Sequence, residues 1–463
     1  MPDYGGLTRR QAVSLAGGAA TLLAAGPVAG KGAGEARRPN IVFIMADDLG
    51  FADLSCYGTT YRTPHIDSLA RDGIRLTQAY ANSCVCTATR AGLLTGRYQN
   101  RFRVGQEEPL GFNQPEIGMD PGVPTMPRYL QQLGYRTVLV GKWHLGDPPR
   151  FGPLKSGYDR FFGIHGGGKD YFQTPKDAGV SGSLYDGEKP VGEHRYLTDE
   201  LGDRAVSEIT AAARDKVPLF LSLHFTAPHW PWEGPEDLAV AQNLKNIFHY
   251  DGGSIATFQK MLTSLDENVA KVLAALKRLG LEKDTLVVFT SDNGGERFSN
   301  TWPLSGMKTE LLEGGIRVPV LVRWPRHIRK GSVSEQVAIS MDWMPTFLAA
   351  AGAPSGFEAP GDGINILPAL RGAAPVPRQL FWMFKANNQA AVREGDWKYL
   401  ALGGHEYLFD LATDQRERAN RASAEPERFN RLKALHAQWK AQMLPYPADS
   451  ASHSIIGTLP DRY

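Results

Sequence analysis

Residues 40–48 read NIVFIMADD, a short apolar run rich in β-branched side chains that ends in two acids. A run with so few polar side chains is typical of a parallel strand whose two faces are both covered. The two carboxylates would then lie at the carboxyl end of the strand. In open α/β sheets, ligands bind at that edge. The stretch therefore predicts both the type of sheet and the place of a site.

Similar apolar runs recur along the chain. They read YRTVLVGKWH (135–144), PLFLSLHFTAPH (218–229), TLVVFTSDNGG (285–295) and VPVLVRWP (318–325). Helical patterns lie between them, at residues 64–73, 125–134, 198–215, 254–280 and 341–352. Strands that alternate with helices in this way predict an α/β sheet covered by helices on both faces.

Four of the predicted strands end in polar residues. These residues are Asp47-Asp48, Lys142-Trp143-His144, His229 and Asp292-Asn293. Because the carboxyl ends of parallel strands meet at one edge of a sheet, we expect the four groups to form one shared site.

Two of these groups offer only oxygen ligands, Asp47 with Asp48 and Asp292 with Asn293. Oxygen ligands without clustered cysteine or histidine favour Ca²⁺ or Mg²⁺ over Zn²⁺. Either pair alone is more commonly a helix cap or a turn. The position of both pairs at predicted strand ends favours the metal site, and its excess negative charge calls for cations nearby if an anionic substrate is to enter.

Residues 86–97 read CTATRAGLLTGR, which places a cysteine and an arginine four residues apart at the start of a predicted helix. The unpaired N–H groups of a first helical turn attract an oxyanion. Arg90 lies one turn further on the same face as Cys86. The segment therefore suggests chemistry on a negatively charged ester, although a buried helix start built from small residues explains it equally well.

The pattern Cys-x-Ala-x-Arg followed by LLTGR resembles the signature of the type I sulfatases, with Ala88 where the family usually has proline. The resemblance extends from about Pro39 to the C-terminal helix. It implies an alkaline-phosphatase-like fold, a mixed sheet with helices on both faces, followed by a small antiparallel α+β domain. It also implies that Cys86 is oxidised to formylglycine by a formylglycine-generating or sulfatase-maturating enzyme.

The resemblance also implies roles for particular residues. One Ca²⁺ ion would be bound by position 86 and by Asp47, Asp48, Asp292 and Asn293, in segments ADDLG and TSDNGG. Charge stabilisation and proton transfer would fall to Arg90, to Lys142 and His144 in GKWHLG, to His229 in TAPHWP and to Lys308 in PLSGMKTELLEGGIRVP. The formylglycine hydrate would attack sulfur, His229 with Lys308 would protonate the leaving oxygen, and His144 would help to expel sulfate. His165 and His224 lie outside these segments and receive no role.

The N-terminal 38 residues contain Thr8-Arg9-Arg10-Gln11 and then a short, weakly apolar run. Twin arginines in this position resemble a signal for the Tat translocon, which predicts a periplasmic or secreted enzyme; a disordered basic tail is the alternative. The net charge of +2 over 463 residues indicates no nucleic-acid surface. No apolar run reaches the roughly 20 residues that span a bilayer, so stable membrane insertion is not expected.

Three cysteines do not make a disulfide scaffold. Once Cys86 is modified, Cys56 and Cys84 could pair after export or remain free and buried.

The expected domains are 1–38 (signal and spacer), 39–372 (catalytic) and 373–463 (C-terminal α+β).

The predicted activity is hydrolysis of an aryl or carbohydrate sulfate. A phosphonate monoester or phosphodiester hydrolase on the same scaffold is one alternative, because these esters are also anionic. An unmodified protein that only binds sulfated glycans is the other. Specificity is expected in loops 150–195, 230–250, 296–307 and 385–407, where Tyr171, Phe172, Trp230, Trp232 and Trp302 would stack on a ring or simply pack.

Overall fold

The computed structural model describes residues 38–112, 114–172, 183–192, 194–244, 252–355, 357 and 359–454. The twin-arginine segment lies outside this part of the chain. The strands are β1 (Asn40–Ala46), β2 (Ile74–Leu76), β3 (Ala79–Tyr80), β4 (Arg136–Lys142), β5 (Arg160–Ile164), β6 (Tyr185–Asp186), β7 (Lys189–Pro190), β8 (Leu219–His224), β9 (Thr285–Ser291), β10 (Val320–Arg323), β11 (Ser332–Ser334), β12 (Ala338–Ile339), β13 (Gln379–Phe384), β14 (Gln389–Glu394), β15 (Trp397–Leu402) and β16 (His405–Asp410).

The helices are α1 (Pro64–Arg71), α2 (Cys86–Thr95), α3 (Met126–Gln132), α4 (Leu197–Asp215), α5 (Leu238–Asn243), α6 (Ile255–Arg278), α7 (Glu313–Ile316), α8 (Trp343–Ala350), α9 (Leu367–Leu370) and α10 (Pro426–Lys440). Within the described residues, no helix has both the length and the apolar character required to cross a membrane.

Ten of the described strands form one mixed sheet, in the order β11-β2-β10-β9-β1-β8-β4-β5-β6-β7. The four central strands β9, β1, β8 and β4 are parallel to one another. The predicted run VPVLVRWP forms β10, which is antiparallel to β9. The run 218–229 is a strand only as far as His224, and Pro228 further along the run lacks the N–H group that a strand interior needs.

Helices cover both faces of this sheet, as the alternation of elements predicted. Along β1, Val42 and Ile44 contribute to the core beneath α4 and α6, whereas Phe43 and Met45 contribute to the core on the opposite face, with α3 and α8. Alternate side chains of a strand point to opposite faces, and here both faces are buried. The apolar composition of residues 40–46 has this cause.

The C-terminal unit is an antiparallel sheet in the order β13-β14-β15-β16, with α10 packed against β14 and β15. Its buried residues share a core with the region around α2: Trp382 packs with Tyr80, and its indole N–H donates to the carbonyl of Ala81 at 2.9 Å. The predicted α/β fold with a small antiparallel C-terminal sheet is confirmed. The domain boundary at residues 372–373 stays a prediction.

Candidate active site

The parallel order of the central strands brings the predicted groups together. β1 ends one residue before Asp47, β9 ends one residue before Asp292, and β4 ends at Lys142. His229 follows β8 after five residues. Since these four strands are neighbours with the same direction, their polar ends lie at one edge of the sheet.

Cys86 enters this edge from α2, which begins at that residue after the extended Val85. Every residue of α2 is buried, and the helix ends at Gly96, which adopts the left-handed conformation that closes helices. The Cys86 sulfur and one carboxylate oxygen each of Asp47 and Asp292 lie within 4.8 Å of one another. The cysteine of the sequence motif therefore lies at the predicted metal ligands.

The acidic pairs also contact each other. Asn293 Nδ2 donates to Asp48 Oδ1 at 2.7 Å, and the Asp48 backbone N–H donates to Asp292 Oδ1 at 3.2 Å. Asp48 has φ 61°, a left-handed conformation that aspartate tolerates better than most residues. This backbone conformation lets two consecutive aspartates both serve the site.

Each of the three carboxylates has a cation beside it. Lys142 Nζ lies 2.5 Å from Asp47 Oδ2, and Lys308 Nζ lies 2.6 Å from Asp48 Oδ2. Arg90 donates to Asp292 Oδ2 through Nη2 at 2.8 Å and Nε at 3.2 Å. Three acids and three bases therefore balance in charge.

Burial changes the acidity of these groups in different directions. Burial, with the Asp292 carboxylate, raises the pKa of Asp47 well above its usual value. Burial alone would lower the pKa of Lys308, but the carboxylates of Asp48 and Glu296 raise it. Burial also raises the pKa of the Cys86 thiol. The unmodified cysteine is therefore a protonated thiol at neutral pH and a poor nucleophile.

Two histidines flank the acidic groups. His144 Nε2 donates to the carbonyl of Leu110 at 3.0 Å, and His229 Nδ1 donates to the carbonyl of Trp230 at 2.6 Å. The remaining nitrogen of each ring is an acceptor, and His229 Nε2 lies 3.6 Å from Asp48 Oδ2. Burial, with the nearby lysines, lowers the pKa of both histidines, which keeps them neutral.

The oxygen ligands fit a hard cation. Of the side-chain oxygens of the four predicted metal ligands, Asp47 Oδ1 and Asn293 Oδ1 are buried without a hydrogen-bond partner. Buried acceptors of this kind are uncommon, and a cation would satisfy them. Carboxylate and amide oxygens are the ligands that Ca²⁺ prefers.

The structure adds two residues that the sequence analysis did not assign. Glu296 Oε2 lies 3.3 Å from Lys308 Nζ, and burial raises the pKa of Glu296 to about 7. His224, the last residue of β8, lies with Nδ1 3.4 Å from Arg90 Nη1. The position of Glu296, three residues after Asn293, was a signal for it, whereas His224 gave none because the predicted strand ran on to His229.

The aromatic residues named for specificity fall into two groups. Tyr171, Phe172 and Trp232 are buried in the hydrophobic core, so they pack against the protein interior and present no ring to a substrate. Trp230 lies against His229, with 4.2 Å between the ring centroids and an angle of 42° between the ring planes. Trp302 is 60% exposed, with the Arg416 guanidinium 4.5 Å from its ring centroid. The predicted loops 150–195 and 230–250 lie partly outside the described residues.

Cysteines 56, 84 and 86, all within the described residues, are free thiols. The alternative of a pair between Cys56 and Cys84 is not formed in this structure.

The sequence model of the sulfatase family matches residues 39–353, and a model of the N-sulphoglucosamine sulphohydrolase C-terminal region matches residues 307–442. The chain belongs to the type I sulfatase family, and it is a sulfuric ester hydrolase.

The relatives are sulfatases with different substrates. N-acetylgalactosamine-6-sulfatase of Rattus norvegicus is 32% identical, over 79% of this chain and 72% of the relative. Arylsulfatase A of Homo sapiens is 32% identical, over 88% of this chain and 89% of the relative. The crystal structure of Ps i-CgsB in complex with k-i-k-neocarrahexaose has a TM-score of 0.81 and 31% identity, and covers 91% of this chain and 96% of the other.

Proposed function

We propose that this enzyme hydrolyses a carbohydrate sulfate ester, using a formylglycine hydrate formed from Cys86 and one Ca²⁺ ion. The observation that carries the proposal is the cluster of the Cys86 sulfur with the Asp47 and Asp292 carboxylates, within 4.8 Å. In the mature protein, the hydrate oxygens would take the place of that sulfur. When both groups are present, they supply a nucleophilic oxygen and, through the second hydroxyl, a route for releasing sulfate.

Asp47, Asp48, Asp292 and Asn293 would hold the ion. The support is their oxygen donors and the two buried oxygens that lack a partner. The three aspartates and the neighbouring Glu296 carry at most four negative charges against the three positive charges of Arg90, Lys142 and Lys308, so a divalent ion leaves the site positive. A positive site with one metal ion suits a monoanionic sulfate ester better than a dianionic phosphate monoester.

Arg90, Lys142 and Lys308 would stabilise the sulfate oxygens and the charge that develops in the transition state. Lys142 pairs with Asp47 and Lys308 pairs with Asp48, the two aspartates that directly follow β1. The two ammonium groups would therefore approach the sulfate from separate directions.

His144 and His229 would move protons. The neutral His144 ring uses Nε2–H on the Leu110 carbonyl, which leaves Nδ1 as a base. His229 Nε2 and Lys308 Nζ both face Asp48 Oδ2, at 3.6 and 2.6 Å. Because neutral His229 carries its proton on Nδ1, the proton for the leaving oxygen would come from the charged Lys308 and pass through His229 Nε2, while Asp48 keeps Lys308 beside the histidine.

A carbohydrate substrate has two lines of support. Ps i-CgsB binds k-i-k-neocarrahexaose, and it is similar to this chain along nearly its whole length. The exposed face of Trp302 offers a surface on which a sugar ring would stack.

The modification of Cys86 would precede folding, and folding would precede export. Cys86 is 1% exposed and begins a wholly buried helix, so a maturating enzyme must reach it on the unfolded chain. The twin-arginine segment then fits export to the periplasm or beyond by the Tat translocon, which carries folded proteins. Fusing residues 1–38 to a reporter tests this step: Arg9→Lys with Arg10→Lys should abolish export, and export that persists would contradict it.

A substrate panel tests the proposed reaction. Sulfated sugars, aryl sulfates and an aryl phosphodiester are assayed with Ca²⁺ and with a chelator, in the wild type, Cys86→Ala and Cys84→Ala. We expect a sulfated sugar to be the best substrate, with activity that needs Ca²⁺ and Cys86 but not the nearby buried Cys84. A preference for the phosphodiester, or full activity in Cys86→Ala, would overturn the proposal.

A further inference from the structure

Lys308 lies on a segment, residues 305–312, that is neither helix nor strand. The buried backbone groups of such a segment need hydrogen-bond partners from elsewhere in the chain. The Lys308 N–H donates to the carbonyl of Gly295 at 2.9 Å, and the Thr309 N–H donates to that of Cys84 at 3.0 Å. These two bonds fix one side of the segment to the active site.

The other side is held by the C-terminal sheet. Gln389, the first residue of β14, is 3% exposed. Its Oε1 accepts the N–H of Leu311 at 2.8 Å, and its Nε2 donates to the carbonyl of Thr309 at 2.8 Å. One side-chain amide therefore satisfies two backbone groups on either side of residue 310, as a neighbouring strand would.

The conformation that this amide holds is an unfavourable one. Thr309 has φ 70°, in the left-handed region that β-branched residues rarely adopt. Such a conformation persists only where the surroundings fix it. Thr309 follows Lys308 directly, so a relaxed backbone at Thr309 would carry Lys308 Nζ away from Asp48 Oδ2, which it now meets at 2.6 Å.

We propose that Gln389 is a positioning residue for the hydrolysis, and that the C-terminal sheet thereby acts on catalysis through Lys308. A second contact of the same unit supports this: Glu417 Oε2 accepts the Glu313 N–H at 2.7 Å, and Lys398 Nζ lies 2.9 Å from Glu313 Oε1. The inference rests on the role given to Lys308 in the proposed function.

The chain offers a matched control for a test by substitution. Gln336 is also fully buried, and its amide links two stretches of backbone, its own and that of Val376. Nε2 donates to the Val376 carbonyl at 3.2 Å and to the adjacent Val337 carbonyl at 2.9 Å, and Oε1 accepts the Val376 N–H at 2.8 Å. These stretches do not include a candidate site residue. Gln389→Met and Gln336→Met therefore remove the same kind of interaction, with and without a connection to Lys308.

The experiment is a double-mutant cycle on kcat for the sulfate ester that the wild type cleaves fastest, corrected for the aldehyde content of each preparation. We expect Gln389→Met to lower kcat roughly ten- to hundredfold, and Gln336→Met to change it less than about twofold at a similar loss of stability. In Lys308→Ala, the added Gln389→Met should have little further effect, because it acts through the missing lysine. Gln389→Asn, whose amide is one methylene shorter, should give the same pattern if the methionine variant does not fold.

Additive losses in Lys308→Ala with Gln389→Met, or equal losses of kcat in the two glutamine variants, would overturn the inference and leave the proposed function intact. A Lys308→Ala enzyme with wild-type kcat would overturn the proposed role of Lys308, and this inference with it.

Discussion

Replacing Arg90 by methionine should destabilise the protein by about 3–5 kcal/mol, the usual cost of removing one partner of a buried ion pair. The Arg90 side chain is 2% exposed and Asp292 is fully buried. Arg90 donates twice to Asp292 Oδ2, at 2.8 and 3.2 Å, and once to the carbonyl of Lys142, at 2.9 Å. Without it, the Asp292 carboxylate would face Asp47 in the protein interior with no cation of its own.

Ca²⁺ should recover part of this loss, because the ion would bring positive charge to the same carboxylates. A ligand present at a hundred times its Kd stabilises a folded protein by about 2.7 kcal/mol. We expect the gain on adding Ca²⁺ to be larger in Arg90→Met than in the wild type. Urea unfolding, followed by circular dichroism with Ca²⁺ and with a chelator, measures both quantities.

Arg101→Met is the matched control. Arg101 forms a bidentate ion pair with Asp362, with both hydrogen bonds at 2.8 Å, but the two side chains are 31% and 20% exposed. Partly exposed pairs contribute at most about 1 kcal/mol, and this pair lies outside the acidic groups of the site. Equal losses of stability in the two variants, or a gain in stability on adding Ca²⁺ that is no larger in Arg90→Met than in the wild type, would contradict the role given to the Arg90–Asp292 pair.

Three further predictions follow from the geometry. Asn293→Ala should raise the Ca²⁺ concentration for half-maximal activity by at least about tenfold, because it removes one of the buried oxygens without a partner; an unchanged titration curve would contradict this ligand. His229→Ala should lower kcat for sugar sulfates by roughly 10²–10⁴ and much less for activated aryl sulfates, whereas equal losses would contradict its role in delivering the proton to the leaving oxygen. Burial raises the pKa of Glu108 from 4.5 to about 7, so its contribution to stability is full below pH 4.5 and is lost as pH rises through 7. The free energy of unfolding should therefore fall less in Glu108→Gln than in the wild type as pH rises from 5 to 8, and the difference should be at most about 3 kcal/mol. The same pH dependence in both proteins would contradict this prediction.

The central sheet and the acidic pairs could be predicted from sequence because both depend on local patterns. A strand buried on both faces must be apolar throughout, so residues 40–46 stand out, and the polar residues at 47 and 48 mark where the strand ends. The same pattern placed Asp292 and Asn293 beyond β9. The shared direction of the strands then implied one site.

Other features depend on contacts between distant segments and leave no such pattern. The antiparallel direction of β10 is set by its pairing with β9 and β2, not by its own composition. Gln389 is separated from Thr309 by 80 residues, and a single glutamine at the start of a strand carries no signal of a partner. Tyr171 and Trp232 lie in segments rich in glycine or proline but are buried, since burial depends on what covers them.

The proposed role of Cys86 is tested by the relation between the aldehyde content at position 86 and the turnover of a sulfate ester. Preparations made with increasing amounts of a maturating enzyme are analysed by mass spectrometry of the peptide that contains Cys86, and each is assayed with Ca²⁺. We expect turnover to rise in proportion to the aldehyde fraction, from zero in a preparation that keeps only the thiol. Full turnover by the thiol form, or a fully converted enzyme that cleaves no sulfate ester, would contradict it.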